Sequence, residues 1–305
     1  MSLRPRPFSG APDLSKIFEL LLACQSGGYD DAEPRSIELR IMFRNPSFDA
    51  GRLALPLEDD SDMLAAFAVL WQGRYLGVLV RPDQRGRLED EILGWATAQV
   101  RKTELPGKDR PRLAALCRDD DALSRDLYER HGFSLDDVEP RFRRDLREPL
   151  PEPEFPAGFI LRFLDSTREL DDWLAFYRET LGHRPSILQR WRHARDDEDY
   201  DPSLDLVAID GDGKLAAMCY CSIPSFETSR SPVKEGRTEP IAVAAPYRRR
   251  GLGRAIVLSG LHLLRSRGME RALLTTDPEN LPAHRLYESL GYRRIYQACW
   301  YAKDV

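Results

Sequence analysis

The sequence has few of the residues that staple small folds or bind metals. Five cysteines and five histidines stand among 305 residues. The cysteines (Cys24, Cys117, Cys219, Cys221 and Cys299) are odd in number and scattered, which argues against a disulfide framework. Cys219 and Cys221 flank Tyr220 and would share one face of a strand. A zinc pair needs about two to four intervening residues, so these two read as small apolar packing and no metal is expected. No apolar run approaches the roughly 20 residues of a membrane span. The opening MSLRPRPFSG has no apolar core of the signal-peptide kind. The expectation is a cytoplasmic protein without a membrane partner. An excess of positive charge is also missing: 45 Lys and Arg face 50 Asp and Glu, for a formal net charge of −5. That weighs against general nucleic-acid binding and leaves only local basic patches for holding a phosphate.

Proline, by contrast, is concentrated. Arg147 to Gly158 reads REPLPEPEFPAG, which fits neither a helix nor a central strand and reads as a stiff, extended linker. The chain divides there into residues 1–146, a linker of 147–158, and residues 159–305. The halves echo one another. LYERHGF (Leu127 to Phe133) matches LYESLGY (Leu286 to Tyr292), and VRPDQRGRLED (Val80 to Asp90) matches VAAPYRRRGLG (Val243 to Gly253). The two matches recur at nearly equal offsets, so one fold is repeated.

Periodicity supplies the elements of the second half. Strands are expected at 159–163, 204–209, 215–222, 239–243, 271–276 and 295–301. Leu170, Trp173, Leu174, Tyr177 and Leu181 mark a helix, a short one follows near Ile187 to His193, and further helices span 251–267 and 280–290. The order β-α-α-β-β-β-α-β-α-β implies an α/β fold with a mixed sheet and helices on both faces. The first half shows a weaker version: a helical stripe at Leu14, Ile17, Phe18 and Leu21, a hairpin around Gln72-Gly73, helices at 88–100 and 122–131, and a strand at 113–117.

The chemistry points to IAVAAPYRRRGLGR, Ile241 to Arg254. This segment joins a strand to a helix start, where unpaired N–H groups and the helix dipole favour an anion. Gly251 and Gly253 clear side chains from that backbone, and Arg248, Arg249 and Arg250 add positive charge. The alternative is a solvated turn whose glycines serve only its geometry.

Arg248-x-x-Gly251-x-Gly253, followed by Asn280 and by Tyr287 within LYESLGY, resembles the GCN5-related N-acetyltransferase (GNAT) family over essentially all of Phe159 to Val305. The resemblance implies two tandem acyl-CoA N-acyltransferase domains. It assigns the pantetheine arm of acetyl-CoA to Ile241, Ala242 and Val243, and the pyrophosphate to Arg248, Arg249, Arg250, Gly251, Leu252, Gly253 and Arg254. Asn280 matches the family's cofactor-binding asparagine, and Tyr287 the tyrosine that protonates the departing thiolate. A core tyrosine is the bland reading of Tyr287, and Tyr128 holds the same place in the first half. Some members carry a glutamate five residues before the asparagine, where this chain has Thr275. Glu239, at the start of the central strand, is therefore the candidate base, with His183 and His284 as weaker ones. In layout, tandem copies with one live site, the chain resembles mycothiol synthase and its relatives.

In the first half, Leu88 and Asp90 stand where the glycines would be, Asp121 replaces the asparagine, and Glu89, Asp90 and Glu91 crowd the helix start. Carboxylates compete for the same N–H groups, so this half is expected to be a non-catalytic scaffold. The expected activity moves an acetyl group from acetyl-CoA to the primary amine of a small-molecule or peptide-like acceptor. The expected assembly is a monomer with pseudo-dimeric domains or a weak homodimer. A non-catalytic acyl-CoA sensor and a regulator gripping anions through Arg248 to Arg250 are the alternatives. The acidic loop Arg195 to Pro202 either attracts a cationic amine or is a solvated charge run.

Overall fold

A computed structural model describes residues 4–26, 34–102, 111–182 and 195–305. The chain forms two compact units, Met1–Glu139 with Tyr296–Val305, and Pro140–Ile295.

The first unit contains β1 (Arg4–Pro5), α1 (Ala11–Ser26), α2 (Ser36–Arg44), α3 (Ala50–Leu53), β2 (Ala54–Glu58), β3 (Leu64–Trp71), β4 (Tyr75–Val80), α4 (Glu89–Arg101), β5 (Arg112–Arg118), α5 (Ala122–Arg130) and the start of β6 (Ser134–Asp145). Its strands pair in the order β1-β2-β3-β4-β5. The last place beside β5 is taken by the C-terminal strand β12 (Arg293–Asp304), with Cys299 opposite Cys117 and Tyr301 opposite Ala115. β3, LAAFAVLW, is apolar on both faces because helices cover both. α4 and α5 pack on one face through Ile92, Leu93, Leu127 and Tyr128, and α1 and α2 on the other through Ile17, Leu21 and Leu39.

The second unit repeats the plan. It contains the end of β6, β7 (Ile160–Phe163), α6 (Leu170–Leu181), β8 (Asp205–Ile209), β9 (Leu215–Ser222), α7 (Ser225–Arg230), β10 (Glu235–Val243), α8 (Leu252–Ser266), β11 (Arg271–Thr275), α9 (Leu281–Ser289) and the first residues of β12. The sheet order is β6-β11-β10-β9-β8-β7. α8 and α9 cover one face with Leu252, Ile256, Leu261 and Tyr287, and α6 covers the other with Trp173 and Phe176. Of the expected α6 stripe, Trp173 and Leu174 are buried, whereas Leu181, in the last turn, is exposed. Cys219 and Cys221 are fully buried where α8 crosses the sheet. A Cβ on Gly260 would stand 2.9 Å from the Cys219 sulfur.

The first half follows the expected order with the short α3 added, and the described elements of the second half follow it with α7 added between β9 and β10. The short helix expected near Ile187 to His193 lies outside the described residues. The compact units do not divide where the prolines do. Their limits fall at 139/140 and 295/296, because the end of β6 pairs with β11 while the end of β12 pairs with β5. Each half of the sequence thus supplies the closing strand of the other unit. Residues 149–158 form neither helix nor strand, in keeping with their prolines. They are not a free spacer, however: Leu150 is buried in the second unit's core and Phe155 packs beside it.

Candidate functional site

The site begins as a gap in the second sheet. β10 pairs with β11 only from Glu235 to Arg237, yet stays paired with β9 as far as Val243 across a bulge between Thr238 and Ile241. The Ala244 N–H donates to the Ala216 carbonyl at 2.9 Å. Antiparallel pairing alternates, so Ala242 also faces β9, while Ile241 and Val243 turn their N–H and C=O groups into the gap. Arg248 Nε already donates to the Val243 carbonyl there, at 3.0 Å. Such a strand edge suits an extended ligand carrying its own amides.

Beyond β10 the chain turns at Ala245–Tyr247 and enters α8 through Gly251, whose φ is +91°. Arg249 is also left-handed, with φ +64°. For a residue with a side chain this conformation costs free energy, and such residues cluster at ligand-binding turns. No side chain caps α8. Among the described residues, none accepts a hydrogen bond from the amides of Arg249 to Arg254. Gly253 faces Leu286 and Val243, 3.4 and 3.7 Å from where a Cβ would lie. Arg248, Arg249 and Arg250 are exposed around these amides. The turn has the donors, charge and clearance that a pyrophosphate requires.

Tyr287 rises from α9 into the same core and packs against Phe142 and Tyr292, with ring centroids 6.1 and 5.7 Å away. Burial, aided by the charge of Glu239, raises its pKa, so the phenol stays protonated. Its hydroxyl has no hydrogen-bond partner among the described residues. Glu239 sits in the bulge. One of its oxygens accepts from the Thr275 N–H at 2.7 Å and the other from Arg237. Desolvation alone would raise the Glu239 pKa, but Arg237, Arg141 and the Thr275 amide outweigh it and hold the carboxyl below its usual range. Glu239 therefore bridges the two diverging strands as an ionised carboxylate.

The remaining sequence candidates scatter. Asn280 is the N-cap of α9, its side-chain oxygen accepting from Ala283 N–H at 3.3 Å. His284 packs on Phe142 and contacts the Asp277 carbonyl at 2.9 Å. His183 lies outside the described residues. The acidic loop is partly tied down: Asp201 pairs with Arg267 at 2.7 Å, and Arg195, lying over the Trp173 ring, pairs with the buried Asp205 at 2.9 Å. Burial pushes the Asp205 carboxyl up to about 6. The sequence reading overlooked Arg141, Arg143 and Arg237, whose grouping depends on strand register.

The first unit has the same turn, filled. The Glu89 carboxylate accepts from the Gly86 and Leu88 N–H groups at 2.9 and 3.1 Å. Arg85, the counterpart of Arg248, pairs with Asp121 at 2.8 Å. Asp121 in turn caps α5. The Tyr128 hydroxyl donates to the Leu116 carbonyl at 3.2 Å. The amides of Arg249 and Gly251 and the Tyr287 hydroxyl, without partners among the described residues, thus have counterparts with internal partners in the first unit.

Known proteins resemble this chain in sequence and fold. Residues 167–292 match the acetyltransferase (GNAT) family. The mycothiol acetyltransferase of Thermobispora bispora is 34% identical over 50% of this chain, a match that spans only 53% of that relative's length. The mycothiol acetyltransferase of Salinispora arenicola is 28% identical over 93% of this chain and 91% of its own. Among solved structures, a GCN5-related N-acetyltransferase from Sphaerobacter thermophilus shares the fold with a TM-score of 0.75 at 23% identity, covering 99% of this chain and 95% of that one. A tandem GNAT protein from the clavulanic acid biosynthesis pathway gives 0.74 at 15%, covering 99% and 98%.

Proposed function

We propose that this chain, whose residues 167–292 match the GNAT acetyltransferase family, transfers an acetyl group from acetyl-CoA to the primary amine of a small-molecule or peptide-like acceptor, at one site per chain, in the cytoplasm. The observation that carries this reading is the contrast between the two turns: among the described residues nothing accepts from the amides of Arg249 to Arg254, whereas in the first unit Glu89 occupies those of Gly86 and Leu88, the counterparts of Arg249 and Gly251. In this proposal the open amides, with Arg248 to Arg250, hold the pyrophosphate, and Ile241 and Val243 pair with the pantetheine arm along the gap.

The thioester carbonyl then lies beside the bulge, where backbone N–H groups stabilise its oxygen as it becomes anionic. The neutral amine attacks the carbonyl carbon, the C–N bond forms, and the C–S bond breaks. An acceptor amine, with a pKa of about 10, is mostly charged at neutral pH and must first lose a proton. Glu239 receives that proton only in passing to solvent, because both its oxygens are engaged and its pKa is held low. Tyr287 donates its proton to the departing sulfur and regains one from the ammonium formed by attack. Its raised pKa means that it carries that proton when the thioester binds.

Tyr287→Phe tests this most simply. Release of free CoA with acetylated acceptor should fall about 10²- to 10⁴-fold in kcat, the usual worth of a general acid, with acetyl-CoA affinity nearly unchanged. Unchanged kcat would remove Tyr287 from the mechanism. Binding of acetyl-CoA with no transfer to any amine would instead favour a sensor.

A further inference from the structure

If acetyl transfer occurs at the gap, α8, α9 and Tyr287 fill one face of the sheet, and the acceptor approaches from the other. Strand registers identify the residues on that other face, because residues opposite one another in paired strands point the same way. Arg143 of β6 lies opposite Leu273 of β11, and Leu273 lies opposite Arg237 of β10. The next row along holds Arg141 opposite Thr275, with Glu239 bound to the Thr275 amide. The alternate residues Ala272 and Leu274 belong to the core under α8 and α9, which confirms that Leu273 and its row face away from those helices.

These rows are polar where a core would be apolar. Leu273 is buried, yet it belongs to neither apolar cluster of the second unit. The Arg237 side chain is only 16% exposed and pairs with Glu239, and its Nε is buried with no partner among the described residues. Arg143 is half-buried. Guanidinium groups in such settings bind carboxylate or phosphate oxygens through paired N–H donors.

We propose that the row Arg143–Leu273–Arg237 binds an anionic group, a carboxylate or phosphate, carried by the acceptor. Glu239, one row away, receives the amine end. Arg237 is itself bound to Glu239, so the open end of the row is Arg143, two strands and about 10 Å from Arg237 across the sheet, and the site selects primary amines whose anionic group stands well away from the nitrogen. α-Amino acids, whose two groups are adjacent, fit poorly.

The test uses the full chain, acetyl-CoA and a series of ω-amino carboxylates from glycine to 6-aminohexanoate, each against the amino alcohol of equal length. Glucosamine 6-phosphate against glucosamine supplies the phosphate arm. The expected result is a kcat/KM preference for the anion of about 10- to 100-fold at the longer spacings, the worth of a charge-assisted hydrogen bond. Arg143→Gln should erase that preference through KM. Equal rates for anionic and neutral partners, or a preference that survives Arg143→Gln, would overturn the inference. If no amine is acetylated, the same pairs are titrated into CoA-loaded protein, and equal affinities would overturn it as well. Acetyl-CoA binding is measured alongside. Its loss would bring down the acetyl-transfer reading, whereas its retention without an anion preference brings down only this inference.

Discussion

Two tyrosines at matching places in the repeat separate structure from chemistry. Tyr128 and Tyr287 are both buried, at 6% and 7% exposure, and both sit in the LYE of the repeated segment. What differs is the hydroxyl: that of Tyr128 donates to the Leu116 carbonyl, and that of Tyr287 has no partner among the described residues. Tyr128→Phe should therefore cost about 1 kcal/mol of stability, a typical net hydrogen bond, with kcat unchanged. Urea unfolding and acetyl-transfer rates on the one variant check both halves of that statement. The sequence identifies both tyrosines but cannot say which hydroxyl is already used, because Leu116 reaches Tyr128 through folding alone. Glu239 was likewise visible as a carboxylate at the start of the central strand. Its bonds to Thr275 and Arg237, which lower its pKa and turn a free base into a strand bridge, depend on where β10 and β11 part.

Among elements, the two helix-start turns carry the proposed functional difference. The glycines of Arg248-x-x-Gly251-x-Gly253 and their loss in the first half were legible as letters, because one turn needs a left-handed residue and clearance while the other puts Leu88 and Asp90 in those places and adds Glu89 and Glu91 beside them. The structure adds the means: Glu89 folds back onto the Gly86 and Leu88 amides, as a bound anion would. Glu89→Ala should destabilise the protein by about 0.5–2 kcal/mol, as loss of a helix N-cap does, and leave acetyl-CoA stoichiometry at one. Thermal unfolding and ligand titration of the variant test this, and a stoichiometry of two would show that the first turn was merely blocked. β2 and β6 went unread. Pro56 interrupts the first, and Phe142 is the lone large apolar residue in the RFRRD end of the second, so neither shows clean alternation. The arginines of β6 make sense only once Arg141 and Arg143 are seen opposite Thr275 and Leu273.

At the scale of the molecule, the repeat is plain in the sequence and the exchange of closing strands is not. Equal offsets reveal two copies, but nothing in a strand's own letters names its partner. Cys299 and Tyr301 belong to the first unit's core although they come from the end of the second copy. Removing residues 296–305 should therefore destabilise the first unit, read as lost protection from hydrogen exchange in β5, and a fragment of residues 1–146 should regain stability when a peptide of residues 293–305 is added. The central claim is one live acyl-CoA site per chain, in the second unit. Isothermal titration of the whole protein with acetyl-CoA, beside the Gly251→Asp, Gly253→Asp double variant, tests it most directly. One binding event per chain, abolished in the variant, is the predicted result; two events, or one that survives both aspartates, would contradict it.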